Sequence, residues 1–405
     1  LSGNISLQEL ADAHGLPLYV YDTAVMAARY YRLQSAFAGT HVKINYACKA
    51  LSNINVLRFF KSLGSGLDTV SIQEVELGLR AGFDPKDIIY TPNGVSFDEI
   101  KQAVHYGVRV NIDSLNMLEQ FGHTFGASYP VCVRMNPHIN AGGNNKISVG
   151  HIDSKFGISI YQNRHLERLV KRLGIHLNGL HMHTGSDILD VDVFLRGAEL
   201  LLDVARSFQA LDYIDFGSGF KVAYKEGDIH TDVEELGSKL TALIHSFCQE
   251  YGRTLHIEFE PGKFLVSEAG YFLCKVNALK QTTATVFAQV DTGMNHLIRP
   301  MFYDAYHHIS NLSNPGGKPR VYTVVGYICE TDTFASDRLI SEVREGDVLA
   351  FHNAGAYCYS MSSNYNSRPR PAEVLVHNGT AHLISRRESL EDLLHTQIEI
   401  AEMRG

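Results

Sequence analysis

The run KINYACKA places Lys49 at the end of an alternating, strand-like stretch. An unpaired ammonium is costly to bury, so a lysine there either reaches solvent or serves as an amine. Partial desolvation at the C-terminal mouth of a barrel strand would lower its pKa toward that of a usable nucleophile, and such an amine forms a Schiff base with a carbonyl cofactor. The other parts that this chemistry needs recur downstream. DFGSGF holds Gly217, Ser218 and Gly219 in a turn whose backbone amides can approach a phosphate. EPGK sets the carboxylate of Glu260 ahead of Pro261, Gly262 and the cation Lys263, and HMHTGS ends a strand at His183, whose ring can lie flat on an aromatic cofactor. An amine, a phosphate turn, a flat ring and a carboxylate for a ring nitrogen together compose a pyridoxal phosphate site.

Each residue also has a plainer reading. Lysines at strand ends are mostly solvated, tight turns favour glycine, and His183 can be a hydrogen-bonded barrel histidine. The pair His181 and His183 with Glu258 and Glu260 could instead ligate a metal in a barrel hydrolase. Hydrolases of that kind carry the H-x-H pair on the first strand, with further histidines after strands five and six, which this sequence lacks.

These residues need a frame that brings strand ends together. Eight strand-like runs, at 42–49, 66–70, 87–92, 108–113, 131–136, 177–184, 213–217 and 255–261, alternate with segments of helical periodicity. In DVDVFLRGAELLLDVARSFQ, Phe194, Gly197, Ala198, Leu201, Ala205 and Phe208 share one stripe. Eight such units predict a (β/α)8 TIM-type barrel over residues 31–270. From 271 to 405 the sequence turns β-rich, predicting an antiparallel domain joined by the N-terminal segment 1–30, whose PLYVYD strand it shares. Asn378-Gly379 suits a tight hairpin turn, and SLEDLLHTQIEIAEM reads as a closing helix.

Period-two alternation divides each barrel strand between helices and lumen. Ile44, Tyr46 and Cys48 fall on one face of the first strand, with Lys43, Asn45, Ala47 and Lys49 on the other. The lumen faces would also carry Arg109, Asn111, Asp113, Arg134, Asn136, His181, His183, His256, Glu258 and Glu260. Barrel interiors are ordinarily filled by branched apolar residues, so a lumen this polar implies function.

Composition narrows the classes. With 45% hydrophobic and 20% charged residues the chain is globular, and a net charge of −8 argues against a nucleic-acid partner. The six cysteines form no C-x-x-C pair, which disfavours a zinc cage or a disulfide framework. No run of about 18 apolar residues and no charged-then-apolar leader is found, so neither a membrane partner nor secretion is expected, and the cytoplasm is. The glycine-rich run at 140–150 lacks the G-x-x-x-x-G-K-[ST] pattern and reads as a mobile loop or lid.

The runs YACKA, GSGLDTVSIQEVELGLRAGF, SKFGI, HMHTGSDI, DFGSGF, EPGKFLVSEAG, GYICETDT and GAYCYSMSSNYNSRPRPAEVL, in this order over most of the chain, resemble the alanine-racemase-like barrel enzymes. Among them they are most similar to the pyridoxal phosphate-dependent basic amino-acid decarboxylases, in particular the branch acting on meso-diaminopimelate to give L-lysine and CO2. The resemblance implies a homodimer with shared active sites, the CETD loop coming from the neighbouring subunit. It makes Lys49 the Schiff-base lysine, Glu260 the partner of the pyridine nitrogen and His183 the ring platform. Asp68, Ser186, the 217–219 turn, the 260–263 turn and Tyr357 would contact cofactor. Lys263, Arg299, Tyr303, Glu330 and Tyr357 would hold substrate, and Cys329 would give a proton to the carbon that lost CO2. Where a racemase of this fold has arginine opposite the ring nitrogen, this chain has Glu260.

Two positions depart from the family. Lys263 stands for the arginine of E-P-G-R, and Cys329, Glu330, Thr331, Asp332 replaces C-E-S-x-D. Decarboxylation of ornithine, carboxynorspermidine or another basic amino acid, and a non-catalytic pyridoxal phosphate carrier, stay open as alternatives. The carrier would resemble the barrel alone.

Overall fold

The computed structural model describes residues 1–139, 155–185, 187, 189–330 and 332–403. The glycine-rich run at 140–150, Ser186 and Thr331 lie outside them. The chain divides into two units, Ala27–Leu265 and, together, Leu1–Met26 with Val266–Gly405.

In the first unit eight parallel strands close into a barrel: Val42–Ala47, Gly66–Thr69, Ile88–Tyr90, Arg109–Ile112, Val131–Asn136, Leu177–Met182, Tyr213–Asp215 and His256–Phe259. Each pairs with the next, and the last returns to the first at Phe259 and Ile44. A helix follows each of the first seven strands, and a single turn, Lys263–Val266, follows the eighth. The helix starts are written locally: side-chain oxygens of Ser71, Ser96, Ser114, Asp190 and Asp232 accept first-turn backbone N–H groups.

The outward strand faces are apolar and fully covered. Tyr46 stacks on Phe60 at 4.1 Å and Phe37 packs on Phe259 at 4.5 Å. Phe194, Gly197, Ala198, Leu201 and Ala205 form the buried stripe of the Val191–Ala205 helix. Each fully buried large side chain contributes roughly 1.5–3 kcal/mol, so this shell between strands and helices holds the barrel and leaves the lumen to polar groups.

In the second unit the N-terminal strand Leu18–Asp22, buried at all five positions, lies between Gly270–Gln281, antiparallel, and Ala372–His377, parallel. Asn378 and Gly379, at φ 50° and 73°, turn the chain from Ala372–His377 into Thr380–Ser385, because this hairpin turn needs positive φ at both central residues. The expected closing helix is cut short. The α-helix spans Leu390–Leu394, started by a capping box between Ser389 and Asp392, and helix returns only as a 3-10 turn at Ala401–Met403. Between them Ile398 and Ile400 are exposed, and a short helix with no packed face is marginal in water.

Candidate active site

The barrel lumen is built in polar layers. Deep inside, Arg109 donates two hydrogen bonds to Glu258, at 3.0 and 2.9 Å, Asn45 donates a third at 2.7 Å, and the guanidinium lies 4.2 Å from the Tyr213 ring centre. Room for that ring requires Gly179, where a Cβ would come within 2.3 Å of it. Glu258 is therefore a structural plug, satisfied by Arg109 and Asn45, and is not available to a metal. His256 is exposed rather than turned into the lumen, its ring 5.4 Å from His41. It is the first residue of its strand, before the alternation is enclosed.

One layer further along the strands, Asp68, Arg134, His181, Asp215 and Glu260 are all buried. Glu260 is held by its backbone N–H, which donates to Gly217 O at 2.7 Å, and by His181 Nε2, 2.9 Å from its Oε2. Among the described residues its Oε1 has no hydrogen-bond donor, nor do Asp215 Oδ2, Asp68 Oδ1 and His181 Nδ1 have a partner, and the Glu260 and Asp215 carboxyls interact with each other. Burial first, then the Asp68 charge, raises Glu260 well above the usual carboxylate range. Burial likewise raises Asp215 and Asp68, with Lys49 pulling the latter back. His181 is pushed down to about 4, again by burial, and is a neutral ring at physiological pH. Buried carboxylates with open hydrogen-bond positions are poised for a ligand that brings a donor.

The mouth carries the remaining residues. Strand one ends at Ala47, and the turn Cys48–Ala50 that follows lifts Lys49 to the rim, where its side chain is exposed rather than desolvated. The exposed position corrects the desolvation expected from the sequence, and the lysine's charge still acts on Asp68, Glu260 and His183. Ala47 N donates to Pro261 O at 3.1 Å, tying the lysine's turn to the 260–263 turn. His183, at the end of strand six, accepts at Nδ1 the backbone N–H of Ser218 at 3.2 Å. Burial and the Arg134 and Lys49 cations hold its pKa well below 6.5, leaving an uncharged ring. Gly217 is at φ 64°, and a Cβ there would sit 2.4 Å from Met182 O and 2.8 Å from His183 Nδ1. Glycine is therefore required for the histidine to pack on this turn.

Lys263 is largely buried, and its ammonium pairs with Asp187, a residue that the sequence reading passed over within HMHTGSDI. Asp215 was also missed as a member of the Glu260 cluster. Asp215 had a local signal, because its carboxylate accepts the Gly217 N–H two residues on, at 2.8 Å.

In the second unit Arg299 opens the short helix Arg299–Tyr303 and is only 4% exposed. Its Nε donates to Tyr303 Oη at 2.9 Å. Cys329 and Glu330 are exposed neighbours gripped by another adjacent pair: Asn366 donates to Cys329 Sγ at 3.7 Å and Tyr365 Oη donates to Glu330. Asp332 anchors that loop, accepting the Met294 and Ile328 N–H groups at 2.6 and 2.7 Å. Tyr357 takes φ 58°, a left-handed conformation that is costly for a bulky side chain and therefore an outlier of functional interest.

The first unit fits pyridoxal phosphate on its own geometry: an orphaned buried carboxylate oxygen, a neutral ring platform, a glycine turn and an amine at one mouth. Residues 23–267 match the family of pyridoxal-dependent decarboxylases over its pyridoxal binding domain. A diaminopimelate decarboxylase of Methanothermobacter thermautotrophicus is 41% identical over 98% of this chain and 95% of its own length. One from Escherichia coli is 34% identical, covering 97% and 96%. The crystal structure of diaminopimelate decarboxylase from Helicobacter pylori complexed with L-lysine superposes with a TM-score of 0.88 at 32% identity, over 96% of this chain and 98% of that one. The chain belongs to the diaminopimelate decarboxylase family of pyridoxal-dependent decarboxylases. Pyridoxal phosphate is its cofactor.

Proposed function

We propose that the protein converts meso-diaminopimelate to L-lysine and CO2, with the barrel residues holding the cofactor and residues of the second unit holding the substrate. The observation that carries this reading is Glu260: a buried carboxylate, backed by His181, with one oxygen open. When bound, pyridoxal phosphate supplies a carbonyl for the substrate amine and a ring that takes up the electron pair left by CO2. Glu260 would hold the protonated ring nitrogen of the cofactor, and positive charge there is what decarboxylation, more than racemisation, demands. Lys49 Nζ would hold the cofactor through its carbonyl. His183 would orient the ring and Asp68 would contact the cofactor, while the contact expected of Ser186 falls outside the described residues.

The 217–219 turn and the 260–263 turn would cradle the phosphate with Tyr357, chiefly through the N–H groups of Gly219, Gly262 and Lys263, since those of Gly217, Ser218 and Glu260 are committed to Asp215, His183 and Gly217 O. Lys263, paired with Asp187, keeps the charge of the family arginine but lacks its planar fork for phosphate and carboxylate. Arg299, Tyr303 and Glu330 bind the end of the substrate that does not react, and Cys329 Sγ delivers the proton to the carbon that lost CO2. Residues 31–270 carry the cofactor function, and 271–405 with the 1–30 segment complete substrate binding. We place the active form as a homodimer in the cytoplasm, with Cys329 and Glu330 acting in the neighbouring subunit's site. Among the described residues no helix is long and apolar enough to cross a membrane.

The test is CO2 release by the holoenzyme from meso-diaminopimelate, L-ornithine, L-lysine and carboxynorspermidine. A site that pairs a cation with a second carboxylate should favour meso-diaminopimelate in kcat/KM by at least about 10². Equal or better turnover of ornithine or carboxynorspermidine would move the substrate assignment to that compound.

A further inference from the structure

Arg299 is held by more than its helix neighbour. Its second guanidinium nitrogen, Nη1, donates to His307 Nε2 at 3.2 Å. The other ring nitrogen, Nδ1, donates to the backbone oxygen of His352 at 2.9 Å. Arg338 in turn donates to the carbonyl of His307 itself at 2.6 Å, so the backbone from which the ring hangs is also tied. His307 is 1% exposed.

An imidazole that accepts at Nε2 and donates at Nδ1 is a neutral ring in one tautomer. Protonated, it would turn an N–H against the guanidinium. Burial, with the Arg299 charge second, pushes His307 down to about 3, which keeps the accepting form at all physiological pH. Arg299 thus has two nitrogens of a planar fork fixed by uncharged acceptors, Tyr303 and His307. Cys358 beside it is pushed up to about 11 by burial and is an uncharged thiol at neutral pH. These contacts set the plane of the guanidinium and neutralise none of its charge. A planar fork held in one orientation is the form that recognises a carboxylate in two-point fashion.

We infer that His307 is a positioning residue that sets the plane of Arg299, and through it the preference for ligands that keep a second carboxylate. The inference rests on the reading above, in which Arg299 meets the carboxylate that is not lost.

Two ligands isolate that contact. L-lysine keeps the carboxylate that the reaction spares, whereas cadaverine is the same chain without it. Their dissociation constants from the holoenzyme, read from cofactor absorbance, give a carboxylate preference that does not depend on turnover. His307→Gln places an amide oxygen where Nε2 accepts, and His307→Asn is too short to reach. We expect His307→Asn to reduce the preference for L-lysine over cadaverine about tenfold, which corresponds to roughly 1.4 kcal/mol. His307→Gln should hold it within about twofold of the wild type, on the same scale. An unchanged preference in His307→Asn overturns the inference, as does a loss in His307→Gln equal to that in His307→Asn. If His307→Asn fails to fold, His307→Gln decides alone, retention supporting the inference and loss overturning it. A wild-type enzyme that releases CO2 from meso-diaminopimelate yet shows no preference for L-lysine removes the role of Arg299, and the inference with it. Absence of CO2 release signals instead that the functional reading itself has failed.

Discussion

Glu260→Gln separates the electrostatic role of this carboxylate from its structural one. The substitution keeps the shape of the side chain and leaves an amide oxygen to accept from His181 Nε2, now at 2.9 Å from Glu260 Oε2. Because burial raises the carboxyl's pKa, the lumen already disfavours its charge, and a neutral isostere should not destabilise the apoprotein. With its oxygen on His181, the amide turns its NH2 toward the position that Oε1 holds open, so a donor replaces an acceptor. The loss for cofactor binding is one hydrogen bond to a charged group, about 1.5–3 kcal/mol, or roughly 10- to 100-fold in Kd. Turnover should fall further, by about 10²–10³, the usual cost of removing a group aimed at developing charge. Cofactor Kd comes from an absorbance titration of the apoenzyme, and kcat from CO2 release at saturating cofactor. A Glu260→Gln enzyme that turns over within about threefold of the wild type would refute the role given to this carboxylate, whatever its affinity for cofactor.

Two further outcomes concern stability. His296 is buried between Thr292 Oγ1 and Pro369 O, each 3.0 Å away, and burial pushes it down to about 4. Its folded pKa lies below its unfolded one, so its contribution is present above about pH 6.5 and is lost as pH falls toward about 4. The stability gap between wild type and His296→Asn should therefore narrow by about 3 kcal/mol from pH 7 to pH 4 in urea unfolding, and a constant gap would contradict this. Glu258→Gln should cost about 3–5 kcal/mol by leaving the Arg109 charge uncompensated, and replacing both by apolar residues should recover most of it. A loss below about 1 kcal/mol in the same unfolding experiment would mean that solvent or another group compensates Arg109.

Much of the barrel was legible because its signals are local. Alternating strands, serine and aspartate caps and the Phe194 to Ala205 stripe are each decided by residues close in sequence, and all eight barrel strands follow from them. Glu260 and His183 were legible for the same reason, since each ends a strand whose lumen face is fixed by period two. Exposure of Lys49 was not, because it depends on where the first strand gives way to a turn. Long-range partners were also hidden. The Asp187 carboxylate on Lys263, 76 positions away, and the Glu258 plug on Arg109, 149 away, have no spacing to read. The closing segment erred the other way: its periodicity promised a helix that finds nothing to pack against.

Proton NMR of the holoenzyme reaction with meso-diaminopimelate in D2O tests the central claim most directly. The account predicts one CO2 and one L-lysine per substrate consumed, with a single deuteron on the carbon that lost its carboxylate and none on the other α-carbon. Deuterium entering an α-carbon without loss of CO2 would contradict it, and would identify a lumen that stabilises the electron pair without releasing a carboxylate.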